Sequence, residues 1–454
     1  MNDDNVKIIG AGLAGTLMAI LLARRGHTVN LYERRPDLRR EVVPEGRSIN
    51  LAMAARGIRA LDAAGVMKQV GSLLIPIPGR MLHAIDGKLT FVPYGQRKHE
   101  VTYSVSRSGL SKILLDAAEA AGVTIHFGQS AMSVELRQGH IAMRFDDSRA
   151  SASDGHWKLA MHRVIGADGA GSPLRRSLVA ASGARCSENL LKHGYKELRL
   201  PPNAKGQYQL EKNALHIWPH GGFMLIALPN LDGSFTLTLF LPLEGAESFD
   251  TLQSAHDVER FFSHYFPDVH ALLPDLAAEF FEHPTGLMGT VRCEQWSVGD
   301  RLLLIGDAAH AITPFHGQGM NCAFEDCTEL DALLQAQPDW AQAFAAFEQS
   351  RRPNTNAIAD MAIENYIEMR DTVREPKFQL QKALSLELER RFPDRFVPRY
   401  SMVMFHDDIP YSVAFERGRI QQEILALLTR EANSLQEVDY AAAATLIEQR
   451  LASL

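Results

Sequence analysis

Glycines at positions 10, 12 and 15 sit in Ile8-Ile9-Gly10-Ala11-Gly12-Leu13-Ala14-Gly15, where an apolar run breaks into a G-x-G-x-x-G turn. The spacing predicts strand, tight turn and helix, the opening of a dinucleotide-binding α/β fold. Gly10 allows the tight turn, Gly12 lets backbone N–H groups approach a pyrophosphate, and Gly15 lets the helix pack closely on the strand. The helix then directs its positive end toward the phosphates. Alone, the motif does not say which nucleotide is bound. A second strand-to-turn segment about three hundred residues downstream narrows the choice: Leu302-Leu303-Leu304-Ile305 runs into Gly306-Asp307-Ala308-Ala309-His310. Pro314-Phe315-His316-Gly317-Gln318-Gly319-Met320-Asn321 follows it. A dinucleotide dehydrogenase has no use for that segment. FAD requires one, because its ribityl and isoalloxazine end must also be held. An FAD enzyme is the expectation.

The chain has 454 residues, enough for a sizeable core and two closely joined domains. Its formal net charge of −7 argues against nucleic acid as a partner, since a polyanion selects basic surfaces. Cys186, Cys293, Cys322 and Cys327 show no framework spacing and are expected to be reduced thiols. No second Cys or His pair completes a tetrahedral set with Cys322 and Cys327, so no metal site is expected. The fold should begin by Val6, leaving no room for a signal peptide. The longest apolar runs are too short to span a bilayer, and a cytoplasmic protein is expected.

Residues 6–33 read as strand, turn, helix and strand. The second strand, Val29-Asn30-Leu31-Tyr32, ends in Glu33, where such folds place a carboxylate for the adenosine ribose. A solvated charge at a strand end is the alternative, and the spacing from the glycine turn favours the ribose. Arg34 and Arg35 are both candidates for adenine or a phosphate. Leu110 to Ala121 reads as an amphipathic helix and Val123 to Phe127 as a strand returning to the first sheet. Val164-Ile165-Gly166-Ala167-Asp168-Gly169 again runs from strand into glycine turn. Three nucleotide-facing turns, including Asp168, imply a discontinuous cofactor domain. Within residues 190–290, Ala214 to Trp218, Phe223 to Leu228 and Ser234 to Leu241 are strand-like runs separated by turn residues, predicting an inserted antiparallel or mixed sheet. From about Asp326 onward, helices are expected.

With Arg47-Ser48-Ile49-Asn50-Leu51-Ala52, His193 to Leu198, Leu215-His216-Ile217-Trp218-Pro219 and Pro314 to Asn321 in view, the chain resembles the kynurenine 3-monooxygenase family, within the single-component flavoprotein aromatic hydroxylases. The resemblance runs from the first strand through Arg399-Tyr400-Ser401-Met402-Val403. It implies a Rossmann-like FAD-binding domain over 1–75, 100–185 and 290–330. A substrate-binding sheet domain over 76–99 and 190–289 and a C-terminal helical region over 331–454, closing the site, are also implied. Carried across, Leu13 and Ala14 lie in the pyrophosphate turn, Glu33 and Arg35 match adenosine contacts, and Ala52 and Arg107 match flavin-side contacts. Asp307 matches the ribityl contact, and Met320 with Asn321 the loop beside the flavin ring. Arg80 and Tyr94 match a substrate carboxylate clamp, and Asn365 and Tyr400 further substrate contacts. Relatives in mammals carry a C-terminal membrane anchor, but the polar Glu448-Gln449-Arg450-Leu451 here implies none.

The implied reaction is NADPH- and O2-dependent hydroxylation of L-kynurenine to 3-hydroxy-L-kynurenine through a C4a-hydroperoxyflavin, in tryptophan degradation toward quinolinate and NAD. The sequence holds no second G-x-G-x-x-G unit for NADPH, which fits transient docking. The loop Pro314 to Gly319 suits water exclusion: its glycines allow close backbone approach, and Pro314 and Phe315 supply an apolar wall. His316 has two readings, acid–base group or hydrogen-bonding scaffold. An aniline ring is electron-rich, so no side chain is assigned as general base. Arg80 on sequence alone reads as a surface arginine; the resemblance reverses that, and a guanidinium suits a carboxylate. Asn365 and Glu368, three apart, share a helix face, and Met369 is placed either to pack on the substrate ring or to serve ordinary helix packing. The expected assembly is a monomer or homodimer. Two rival readings stand beside this one: an FAD hydroxylase of another aromatic, which needs a phenol-activating relay, and a redox-inert FAD-fold escort protein, which would be colourless.

Overall fold

Val6, Ile8 and Ile9 alternate with Lys7 along the first strand, and all three apolar side chains are buried. That strand, Asn5–Ile9, is therefore central rather than at an edge. In the computed structural model, which describes residues 5–41, 50–137, 140–147, 156–372 and 375–454, it pairs in parallel with Thr28–Glu33 and with Arg163–Gly166. Thr124–Phe127 extends the sheet on one side, and Leu302–Leu304 with Ser297–Val298 on the other. Helix Leu13–Arg24 leaves the first strand through the glycine turn and buries nearly its whole length. An antiparallel set of three strands, Gln129–Arg137, His140–Asp147 and His156–Met161, lies between the third and fourth parallel strands in sequence. The motif residues Arg47, Ser48 and Ile49 lie outside the described residues.

The chain divides into two compact units. The first comprises residues 1–74, 105–191 and 288–359, and the second 75–104, 192–287 and 360–454. The helices beyond residue 330, read from sequence as one region, fall in both units, with the division inside helix Trp340–Ile367.

The second unit is built on a mixed sheet. Cys186–Leu200, Phe235–Pro242, Met224–Pro229 and Leu215–Pro219 run antiparallel in that spatial order. Gly79–His83 then joins Leu215–Pro219 in parallel, and Leu89–Pro93 closes the edge. The turns between the middle strands are those predicted from Pro219-His220-Gly221-Gly222 and Pro229 to Gly233; Gly222 and Gly233 hold positive φ. Leu237, Leu239 and Leu241 pack with Phe261, Phe262 and Phe266 beneath the sheet. His216 bonds His83 at 2.8 Å, His83 bonds Asp268 at 3.0 Å, and burial pushes the His216 imidazole down to about 4.

One sequence expectation fails. Cys186 and Cys293 are joined as a disulfide, with Cα atoms 4.1 Å apart across 107 residues. Their strands are brought side by side by pairing that no local spacing announces. Cys322 and Cys327 are free and buried. Among the described residues, no helix is long and apolar enough to cross a membrane.

Candidate functional site

In the first unit, the three turn glycines serve three separate needs. Gly10 holds φ +102°, and a Cβ there would lie 2.4 Å from the Ala167 carbonyl oxygen. At Gly15 a Cβ would come within 2.0 Å of the Gly10 oxygen, so this glycine is set by packing. Gly12 differs: its backbone is ordinary, it precedes helix Leu13–Arg24, and nothing lies within 4 Å of a Cβ placed there. Leu13 and Ala14 begin that helix, whose first N–H groups open onto the same space. A cleared cradle at a helix N-terminus is what a pyrophosphate needs, so these residues fit FAD.

Glu33 is buried, and both oxygens are engaged with the chain. One accepts the Ala11 N–H at 2.9 Å, and the other the Arg35 N–H at 2.9 Å and its Nε at 3.0 Å. The acid thus shapes the glycine turn itself, leaving only its remaining lone pairs for a ribose. Arg34 and Arg35 are exposed. Arg107 is also exposed and starts helix Arg107–Ala120, which Ser106 caps. At the third turn, Asp168 Oδ2 accepts the Leu174 N–H at 3.3 Å, while Oδ1 is buried without a hydrogen-bond partner among the described residues. Burial raises this carboxyl above its usual range.

Asp307 is exposed at the start of the short helix Asp307–His310, behind Gly306 at φ +58°. Phe315 and His316 are buried in the turn Pro314–His316. Gly319, Met320 and Asn321 open helix Gly319–Ala336. The Asn321 amide is wholly committed to backbone: Oδ1 accepts from Ala54 N at 2.9 Å, and Nδ2 donates to the Ala52 oxygen at 2.8 Å and the Gly317 oxygen at 3.0 Å. It staples the strand Asn50–Met53 to the Gly317 turn.

Behind that turn lies a network the sequence reading missed. Asp326 accepts from Gly306 N at 2.8 Å, from His310 Nε2 at 2.6 Å and from Arg351 Nε at 2.8 Å. Arg351 also binds Glu325, which binds Arg56. Although burial opposes it, His310 and Arg351 keep the Asp326 carboxyl below its ordinary range. His310, Cys322 and Asp326 offer ligand atoms within 4.8 Å of one another, but the Arg351 guanidinium already supplies the cationic charge there. Asp326→Ala should strand that buried guanidinium and destabilise the protein by about 3–5 kcal/mol. A denaturant midpoint no lower than that of the parent protein would remove the network from this role.

The second unit gathers the residues read as substrate contacts. Arg80 is buried on strand Gly79–His83, 3.6 Å from Glu368 Oε1. Its guanidinium lies 5.5 Å from the Tyr94 ring centroid and 5.4 Å from that of Tyr400, and the two rings stack at 5.0 Å. Burial opposes its charge, but Tyr94, Tyr400 and Glu368 raise its pKa. Arg80 Nε is buried with no acceptor among the described residues. Asn365 and Met369 are both buried, with the amide donating to the thioether at 3.3 Å. The helix widens there into a π-turn, Glu368–Thr372, where a regular helix had been expected. Such turns re-aim side chains and recur at functional sites. Lys382, which the sequence reading passed over, also approaches Tyr400.

A family model described as an FAD binding domain matches residues 3–362. Kynurenine 3-monooxygenase of Myxococcus xanthus (strain DK1622) is 46% identical over 449 residues, covering 99% of this chain and 96% of that one. The enzyme of the same name from Stenotrophomonas maltophilia (strain K279a) is 46% identical over 447 residues, with 98% and 97% covered. Among solved structures, the tetrameric form of 2-methyl-3-hydroxypyridine-5-carboxylic acid oxygenase shares the fold at TM-score 0.66 and 22% identity, over 86% of this chain and 98% of that one. p-Nitrophenol 4-monooxygenase PnpA from Pseudomonas putida DLL-E4 does so at TM-score 0.65 and 16% identity, over 95% and 98%.

Proposed function

Because the chain belongs to the kynurenine 3-monooxygenase family and carries an FAD-binding domain over most of its length, we propose that it hydroxylates L-kynurenine to 3-hydroxy-L-kynurenine with NADPH and O2. FAD, when bound, takes two electrons from NADPH and activates oxygen for transfer to the ring. The observation that carries the substrate assignment is the buried Arg80 Nε, a charged donor with no acceptor among the described residues, set near two tyrosine rings. A guanidinium in that state suits a carboxylate, with Tyr94 and Tyr400 as further donors. Asn365, held by Met369, and Glu368 line the same part of the second unit and would orient the rest of the amino acid.

Elsewhere the chain's duty is positioning. Gly12, Leu13, Ala14 and Gly15 would carry the pyrophosphate, Glu33 and the arginines after it the adenosine, and Asp168 and Asp307 the sugar end. Ala52, Arg107, Gly319, Met320 and Asn321 would border the flavin. Phe315 supplies an apolar surface that keeps water from the reacting centre, and His316 serves the shape of its turn. The substrate's ring amine directs attack to the adjacent carbon, so no protein base is needed. A cytoplasmic site of action, where NADPH is regenerated, belongs to the same reading.

With L-kynurenine and labelled oxygen gas, one labelled atom should appear in 3-hydroxykynurenine and the other in water. Label entering the product from water instead would remove the monooxygenase reading. So would hydrogen peroxide as the sole product of the unaltered enzyme.

A further inference from the structure

Helix Pro376–Arg391 in the second unit has two buried faces. Leu384 and Leu388 pack with Phe396, Ile424 and Ile447. Lys382, Ser385 and Glu389 recur at intervals of three and four and so form a separate polar stripe. Glu389 is fully buried and already engaged, accepting from Gln96 Nε2 at 2.8 Å and from Arg97 Nη1 at 3.1 Å. Lys382 is partly buried, and its Nζ has no hydrogen-bond or ion-pair partner among the described residues. What it does approach is the Tyr400 ring, 5.6 Å from the centroid. Arg80 approaches the same ring at 5.4 Å.

Two cations therefore share one aromatic ring, and the carboxylate closest to Arg80 is Glu368 at 3.6 Å. Burial depresses the Lys382 ammonium, Glu368 partly restores it, and Arg80 opposes it. Glu389 also raises it and Arg399 lowers it; Glu389 is shared with Arg97, and Arg399 is paired with Glu364. Among the described residues no carboxylate pairs directly with Lys382, and an ammonium taken out of water without an anion beside it is unfavourable.

We propose that Lys382 is the second cation of the carboxylate subsite, and that it makes this site select aryl ketones bearing a free carboxylate over those lacking one. The proposal rests on the reading of Arg80 as the carboxylate's partner. Arg80 fixes geometry through its planar fork, whereas Lys382 adds a point charge that acts without a fixed direction. A ligand of the same shape without a carboxylate would leave Lys382 with no anion beside it.

The test titrates the FAD-loaded protein calorimetrically with three ligands. These are L-kynurenine, 4-(2-aminophenyl)-4-oxobutanoate, which lacks only the α-amine, and kynuramine, which lacks only the carboxylate. Lys382→Met, close in volume and uncharged, should raise Kd for both acids by about tenfold or more, the equivalent of about 1.4 kcal/mol. Kynuramine should bind the variant as well as the parent, or more tightly, because a repelling charge has gone. Lys382→Arg should recover most of the acids' affinity. Equal weakening of all three ligands would mark Lys382 as a structural residue and overturn the proposal, as would unchanged affinity for the acids. An Arg80→Ala control separates the two levels. If that variant binds the acids normally, the subsite itself is misplaced; if it loses them while Lys382→Met does not, only the role of Lys382 falls.

Discussion

Gly12→Val should yield a folded protein without colour. The expectation follows from the contrast among the three turn glycines. Substitution at Gly10 or Gly15 would drive a Cβ into backbone at 2.4 or 2.0 Å and damage the fold itself. Gly12 has an ordinary φ of −71°, and the space beside it is open to 4 Å. The protein can therefore accept a valine there, but an isopropyl group would fill the volume a pyrophosphate must enter. Circular dichroism should report parent-like helix content while the absorbance near 450 nm, roughly the flavin's range, disappears. A variant that purifies with full flavin occupancy would place the pyrophosphate elsewhere.

Arg80→Ala should have the opposite profile: a yellow protein that has lost its substrate. Truncating one partner of a desolvated charge pair typically costs about 2–5 kcal/mol, or roughly 30- to 5,000-fold in Kd. Arg80→Lys should recover only part of this, because an ammonium cannot reproduce the planar fork. Unaltered L-kynurenine affinity in Arg80→Ala would sink the carboxylate assignment. Flavin content serves as the internal control, since Arg80 and the cofactor turns belong to different units.

The two experiments probe features that differed in how far the sequence disclosed them. The cofactor turns were legible because glycine is the residue whose absence of a side chain can be read directly as geometry. Strands such as Met224–Pro229 and Phe235–Pro242 were legible because turn residues bracket them. Asp326 was not, since its partners at Gly306, His310 and Arg351 converge only through packing. The Cys186–Cys293 bond escaped for the same reason. Glu33 was placed by its spacing, yet nothing in that spacing foretold that its oxygens hold Ala11 and Arg35. The π-turn at Glu368–Thr372 inserts a residue that a 3.6-residue periodicity has no means of showing. Lys382 looks like any solvated lysine of an amphipathic helix until its neighbours are known.

The first unit's three-part construction also governs the order in which its pieces can come together during synthesis. The glycine turn leaves the ribosome almost at once, whereas strand Leu302–Leu304 and the Gly306 turn follow some three hundred residues later. At translation speeds of about 5–20 residues per second, that is a wait of roughly 15–60 s. For the later part of that interval, roughly 7–27 s at the same speeds, the nascent sheet has Arg163–Gly166 as an unfinished edge, its Leu302–Leu304 neighbour not yet made. A nascent chain in this condition exposes unpaired backbone next to apolar side chains, the state in which chaperones engage. Cofactor capture thus belongs to the finished chain, and slow translation of residues 192–287 would lengthen exposure of the incomplete sheet rather than help it fold.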